Sequence, residues 1–443
     1  METPICDFVR QYAESRTLRA HMPGHKGTGP LGCEHLDLTE ISGADSLYEA
    51  DGIIRQSEEN ASRLFGCPTF YSTEGSSQCI RAMLYLAVLD AQRQGRAPKI
   101  AAARNVHKTF LSGAALLDLD VVWLYPKESA GYLSGTVDLP HLEAVLKTEH
   151  PTAVYLTSPD YLGNVADIAA MAEICHRHGA LFLVDNAHGA YLRFLTPSQH
   201  PMDLGADICC DSAHKTLPVI TGGAYLHLSS SLPPMFRAQA KAALSLFGST
   251  SPSYLILQSL DAVNPYLCDH PQRLGDFVKE VEALKSVLTA YGYKLYGQEP
   301  LKITLHTKPF GYTGIEMAAL LRERNVICEF YDPDYLVMMV TPETGREGLK
   351  RLETALLSIP QKAPVTAKPP RFRQTERVCS VREAMLSPAE RVEASACDGR
   401  VLAAATVGCP PAVPILACGE RIDAHTIACF QYYGITQCLV LAE

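Results

Sequence analysis

Six short, almost uninterrupted apolar runs between residues 98 and 229 constrain this chain more than any other feature. They are PKIAAAR (98–104), VVWLYP (121–126), TAVYLTSP (152–159), ALFLVD (180–185), ADICCD (206–211) and GAYLHLS (223–229). Strands that are apolar on both faces belong in a sheet covered on both sides. Between two of the runs, ADIAAMAEICHRHG sets Ile168, Met171, Ala172 and Cys175 at helical spacing, with Asp167 as N-cap and Gly179 just past the end. Such strand–helix–strand repetition predicts an α/β domain with a mostly parallel sheet. Ligands of such sheets bind at the carboxyl ends of the strands.

SPSYLILQSLDAVNPYL (251–267) reads as a long helix, and a second α/β unit follows. Its strands are KITLHT (302–307) and YLVMMV (335–340); its helices are GIEMAALLRERN and GREGLKRLETALLSI. The Pro- and Lys-rich PQKAPVTAKPPRFR (360–373) has the composition of a linker. The resulting division is an N-terminal segment (1–45), a large domain (46–265), a small α/β domain (266–359), a linker (360–375) and a C-terminal accessory domain (376–443).

A net charge of −9 argues against a nucleic-acid partner, which calls for a basic surface. No apolar run approaches the roughly 20 residues of a membrane span, and the charged N-terminus METPICDFVRQYAESRTLRA lacks a signal-peptide core. The 15 cysteines are scattered and read as reduced thiols of a cytoplasmic protein. His21 and His25 are separated by Pro23 and Gly24, which break any helix that would align them, so a loop is expected there and no metal site.

DSAHKTLP (211–218) puts Lys215 after Ser212 and His214 at the end of an apolar strand. Burial and a neighbouring cation favour the neutral amine that a Schiff base requires; the alternative is an exposed lysine. Asp185 ends ALFLVD, where a carboxylate is costly without a positive partner. A pyridinium nitrogen is such a partner, and a helix N-cap is the other reading. In STEGSSQCIRAML (72–84), Ser76 and Ser77 open a helical pattern whose N-terminus suits a phosphate, an ordinary serine-capped helix being the other reading. His107 follows a strand and can stack on a ring, a satisfied core or surface histidine being the other reading, and His188 lies three residues past Asp185. A phosphate loop, a stacking His, a strand-end Asp and then a Lys follow the chain order of fold type I enzymes of pyridoxal 5'-phosphate (PLP), which have the aspartate-aminotransferase-like fold.

The chain resembles the Orn/Lys/Arg decarboxylase family over nearly its whole length. The blocks that carry the resemblance are HMPGHKG (21–27), DLTEISGADSLYEADGIIRQSEENASRLFG (37–66), RNVHK, TSPDYLGNVADI, VDNAHGA, DSAHKTLP, GSTSPSYLILQSLD and GRVLAAATVGCPPAVPILACGERI. The resemblance implies PLP-dependent α-decarboxylation of arginine, lysine or ornithine to an amine and CO2, in polyamine-related metabolism. Lys215 would hold the cofactor covalently, Asp185 would pair with the pyridine nitrogen and His107 would stack on the ring. Ser76, Ser77, Ser212 and His214 would hold the phosphate. A homodimer with shared active sites is implied, with Thr250 or Ser251 of the partner subunit reaching the phosphate; higher oligomers stay open. His188 would lie near the reacting carbon.

Glu329, in NVICEFYD, matches an acidic family position that would meet the distal cation of the substrate; a solvated strand-end Glu is the equal alternative. The resemblance is to the short form without an N-terminal wing domain, so the decamer of longer relatives is not assumed. Glu74, Asp160, Leu162 and the CPPAVP stretch depart from the family pattern and bear on substrate choice and efficiency. Another fold type I reaction, transamination or a lyase, and a non-catalytic PLP-binding relative are the competing expectations.

Overall fold

A computed structural model describes residues 1–126, 131–134, 136–405 and 413–442. Its strands, in chain order, are β1 (Thr69–Ser72), β2 (Lys99–Ala103), β3 (Asp120–Leu124), β4 (Ala153–Thr157), β5 (Leu181–Asp185), β6 (Ile208–Asp211) and β7 (Ala224–Leu228). They continue as β8 (Lys294–Tyr296), β9 (Lys302–His306), β10 (Phe330–Tyr331), β11 (Tyr335–Met339), β12 (Ala389–Glu393) and β13 (Gln437–Leu441). The protein is α/β, and its large sheet is mostly parallel. Contacts divide the chain into two compact units, Met1–Gly95 with Leu181–Arg273, and Arg96–Ala180 with Leu274–Glu443.

The first unit orders its strands β1-β7-β6-β5. β5 and β6 are parallel, whereas β7 runs antiparallel to both β6 and β1. Every residue of β6 and β7 is buried, as two-sided apolar strands require. The helix Gly75–Arg93 buries Ile80, Met83, Leu84 and Ala87. The helix Tyr254–Cys268 is capped by Ser253, whose hydroxyl accepts from Ile256 N. Its Asp261 accepts from the backbone N–H groups of Ile5 and Cys6, both at 3.0 Å, and so satisfies the free donors at the start of the helix Pro4–Glu14.

The second unit holds β4-β2-β3, all parallel, and a four-stranded antiparallel sheet ordered β10-β11-β9-β8. The helix Ile168–Arg177 starts at Asp167, whose carboxylate accepts from Ala170 N at 3.1 Å, and Gly179 follows it at φ +67°, as the sequence predicts. β12 and β13 form an antiparallel pair. Within this unit the C-terminal region is held by a buried ion pair, Arg104–Glu420 at 2.8 Å. Arg382 adds a bond to Ala115 O at 2.8 Å and Arg377 one to Val121 O at 3.0 Å. Residues 360–373 form no helix or strand.

The cysteines of the described residues are free thiols. No described helix is long and apolar enough to cross a membrane. His21 and His25 turn to different partners, Tyr12 Oη at 2.6 Å and Asp37 Oδ2 at 3.1 Å.

Candidate active site

Lys215 sits in a single helical turn, Ala213–Thr216, entered directly from β6. Its N–H donates to Ser212 O at 3.0 Å, and its Nζ lies 3.0 Å from Nε2 of His188. His188 comes from the turn after β5, so two parallel neighbours deliver the amine and the imidazole to one place. His214 is pinned by its Nδ1, 3.0 Å from Gly223 O. Burial lowers its pKa, so the neutral imidazole is favoured.

Asp185 is 2% exposed at the end of β5. Its Oδ1 accepts from Ala187 N at 3.2 Å and from the Cys210 thiol at 3.6 Å. The sequence offered a helix N-cap as the other explanation for this aspartate, but the residues after it form a turn and a short 3-10 segment, Ala190–Phe194. Next to it, Asn186 Nδ2 donates to Asp211 Oδ1 at 2.7 Å, and His200 and His227 both address Asp211 Oδ2. The sequence reading missed this cluster. Its visible signal was His227, a polar residue inside the apolar run GAYLHLS.

Ser76 and Ser77 stand in the first turn of the helix Gly75–Arg93. The hydroxyls of Ser76 and Ser212 are 2.7 Å apart, which joins the helix start to the Lys215 turn. Gly75 N donates to Gly222 O at 2.7 Å. Gly222 has φ +100°, and a Cβ there would lie 3.0 Å from Thr73 O, so this cradle admits only glycine without strain. Glu74 occupies the N-cap position, and its Oε1 accepts from Ser249 N at 3.2 Å. That bond draws the segment with Thr250 and Ser251, both exposed, to the helix start of the same chain.

His107 and Glu329 belong to the second unit. His107 caps the helix Lys108–Leu116: its Nδ1 accepts from Thr109 N at 3.2 Å. Glu329 is exposed just before β10, and Tyr161 Oη donates to its Oε1 at 2.8 Å. The sequence did not predict Tyr161 as a partner. Asp160 is 3% exposed, and its carboxylate accepts from Leu162 N, Asn164 N and Asn164 Nδ2 at 2.7–2.9 Å. This departure therefore closes its own loop. In CPPAVP, residues 409–412 lie outside the described residues.

The fold and the lysine-bearing turn define a fold type I PLP enzyme. The family model described as Orn/Lys/Arg decarboxylase, major domain, matches residues 3–290. The chain belongs to the Orn/Lys/Arg decarboxylase family. It is 29% identical to the uncharacterized protein YaaO of Bacillus subtilis (strain 168), over 96% of this chain and 93% of that one. It is 28% identical to the arginine decarboxylase of the same organism, over 96% and 92%. The crystal structure of the Francisella novicida lysine decarboxylase LdcF superposes with a TM-score of 0.79 at 15% identity, covering 99% of this chain and 81% of that chain. At that identity the likeness shows the fold.

The donor set of the first unit fits PLP. Paired serine hydroxyls at a 19-residue helix start suit a dianionic phosphate, a buried carboxylate at a strand end suits a pyridinium, and a partly buried amine suits an aldehyde.

Proposed function

We propose that the protein removes the α-carboxylate of arginine, lysine or ornithine as CO2 and releases the amine. The observation that carries this reading is the Lys215–His188 contact of 3.0 Å, in the same unit as Asp185 and the Ser76–Ser212 pair, in a chain of this family. The similarity to an arginine decarboxylase makes arginine the first substrate to assay.

PLP, when bound, supplies an electron sink for the pair left at Cα as CO2 departs. Lys215 would hold it covalently. Asp185 would pair with the ring nitrogen, and its burial makes that charge pair strong. Ser76, Ser77, Ser212 and His214 would hold the phosphate, joined by Thr250 or Ser251 of the partner subunit. His107 would stack on the ring. Lys215 Nζ and His188 Nε2 are close enough to share one proton, and either can carry it to Cα. Glu329, oriented by Tyr161, would receive the distal cation of the substrate. We further read residues 46–265 as the cofactor domain, 266–359 as the small domain, and 376–443 as an accessory domain of a cytoplasmic homodimer in polyamine metabolism.

Glu74 favours a second reading. A carboxylate at the N-cap of the proposed phosphate-binding helix opposes an anion there, so a chain that binds PLP but holds it out of its productive place would be a non-catalytic PLP-binding relative. One assay separates the two. The PLP-loaded protein is incubated with arginine, lysine or ornithine, and amine and CO2 are identified by mass beside Lys215→Ala. One amine, absent in the variant, supports the decarboxylase. No amine from any of the three removes it.

A further inference from the structure

A buried carboxylate outside the proposed chemistry lies at the root of the Lys215 turn. Asp211 ends β6 and is fully buried. Asn186 Nδ2 donates to its Oδ1 at 2.7 Å, while His200 Nε2 and His227 Nε2 lie 3.0 and 3.1 Å from its Oδ2. His200 is oriented from its far side, where Nδ1 accepts from Met202 N at 3.3 Å, which leaves Nε2 as the donor. Nδ1 of His227 lies 2.9 Å from the Thr69 hydroxyl. Burial acts to raise the Asp211 carboxyl, but the two imidazoles outweigh it and hold the group well below the usual carboxylate range. Burial pushes the nearby thiols of Cys67 and Cys209 and the Tyr225 phenol up, so these stay neutral.

His200, Cys209 and Asp211 place ligand-type atoms within 4.8 Å of one another. The Cys209 thiol is protonated, and the imidazole is committed to the carboxylate. This cluster is therefore read as a hydrogen-bonded anchor.

The anchor has two arms. One runs through Asn186, whose N–H donates to Cys210 O at 2.9 Å and whose C=O accepts from Gly189 N at 2.8 Å. A Cβ at Gly189 would lie 2.0 Å from Asn186 Oδ1, so only glycine lets the amide cross this turn. The turn carries His188. The other arm is the main chain through Ser212, whose C=O accepts from Lys215 N at 3.0 Å. The arms meet where Lys215 Nζ and His188 Nε2 stand 3.0 Å apart.

We infer that Asp211 is a positioning residue: through Asn186 it holds the turn bearing His188 in register with the turn bearing Lys215. The inference rests on the roles proposed for those two residues. Its test is Asn186→Ala in the PLP-loaded protein, which cuts one arm and leaves Asp211 with both histidines. The expected result is retained covalent PLP, a kcat lower by roughly 10- to 100-fold, a KM within about twofold, and a displaced pH for the colour change of the bound cofactor. Asp211→Asn should act on the same readouts, and the double variant should lose no more than the worse single variant.

Wild-type kcat and an unmoved absorbance titration in Asn186→Ala would overturn the inference. So would strictly additive losses that track a falling Tm. If Asn186→Ala does not fold, Asn186→Ser with the same readouts decides. If the wild type makes no amine, the proposed function fails, and the absorbance titration still judges the positioning role.

Discussion

The Lys215 amine and the His188 imidazole, 27 residues apart in the chain, stand 3.0 Å from one another. They come from the ends of two adjacent parallel strands, β5 and β6, so sheet register sets their separation. Replacing His188 by Gln keeps a hydrogen-bonding group but removes the titrating ring. We expect covalent PLP, trapped by borohydride and seen by mass, to persist while kcat falls roughly 10²- to 10⁴-fold. A His188→Gln enzyme with wild-type kcat would exclude the imidazole from proton transfer.

Glu74 places a carboxylate at the N-cap of the helix Gly75–Arg93, bonded to Ser249 N. Its charge would oppose a phosphate held, as proposed, at that helix start. Because the side chain is exposed, screening limits the effect. Glu74→Gln should bind PLP roughly two- to fivefold more tightly at low salt, with the gain shrinking as salt rises. Fluorescence titration of the apoprotein measures it; an unchanged or weaker affinity would place the phosphate elsewhere.

Tyr161 donates to Oε1 of the exposed Glu329 carboxylate at 2.8 Å, and the carboxylate carries a second oxygen, Oε2. If that oxygen receives the distal cation of the substrate, Glu329→Gln should raise KM roughly 10-fold or more with a smaller change in kcat, and Tyr161→Phe should move KM in the same direction. Steady-state kinetics on the accepted amino acid decides. A KM unaffected by Glu329→Gln would leave this residue as a solvated strand-end glutamate.

Asp332 is pushed up from 3.8 to about 6. Burial is the main cause, and the nearby Asp334 charge adds to it against the backbone N–H groups of Tyr335 and Asp334. The folded state therefore binds this proton more tightly than the unfolded chain. The contribution to stability is fully present below about pH 3.8 and is lost as pH rises through about 6. Asp332→Asn keeps the Oδ1 that accepts from both backbone groups, at 2.7 and 2.6 Å. At pH 7.5 it should be more stable than the wild type by up to about 3 kcal/mol, and near pH 4 the difference should vanish. Urea unfolding at the two pH values measures this, and an equal offset at both would contradict the assignment.

What the sequence determined on its own was local. The six apolar runs became β2 to β7 to within a few residues, and Asp167 capped the helix it was expected to cap. The order of serine-bearing helix start, aspartate and lysine could be read because each residue lies next to the strand or helix end that carries it. Only the tertiary structure decided the pairings. β1, just Thr69–Ser72, was too short to show a period, and the reversed direction of β7 leaves no trace in an apolar run. Asp160 appeared as a departure bearing on substrate choice and proved to be a buried loop anchor. Asp211 finds its partners 11, 16 and 25 residues away, and Tyr161 meets Glu329 across 168. Periodicity and capping depend on near neighbours and are written in the local sequence. A buried charge finds its partners only when the chain closes, and that closure depends on the packing of the whole sheet.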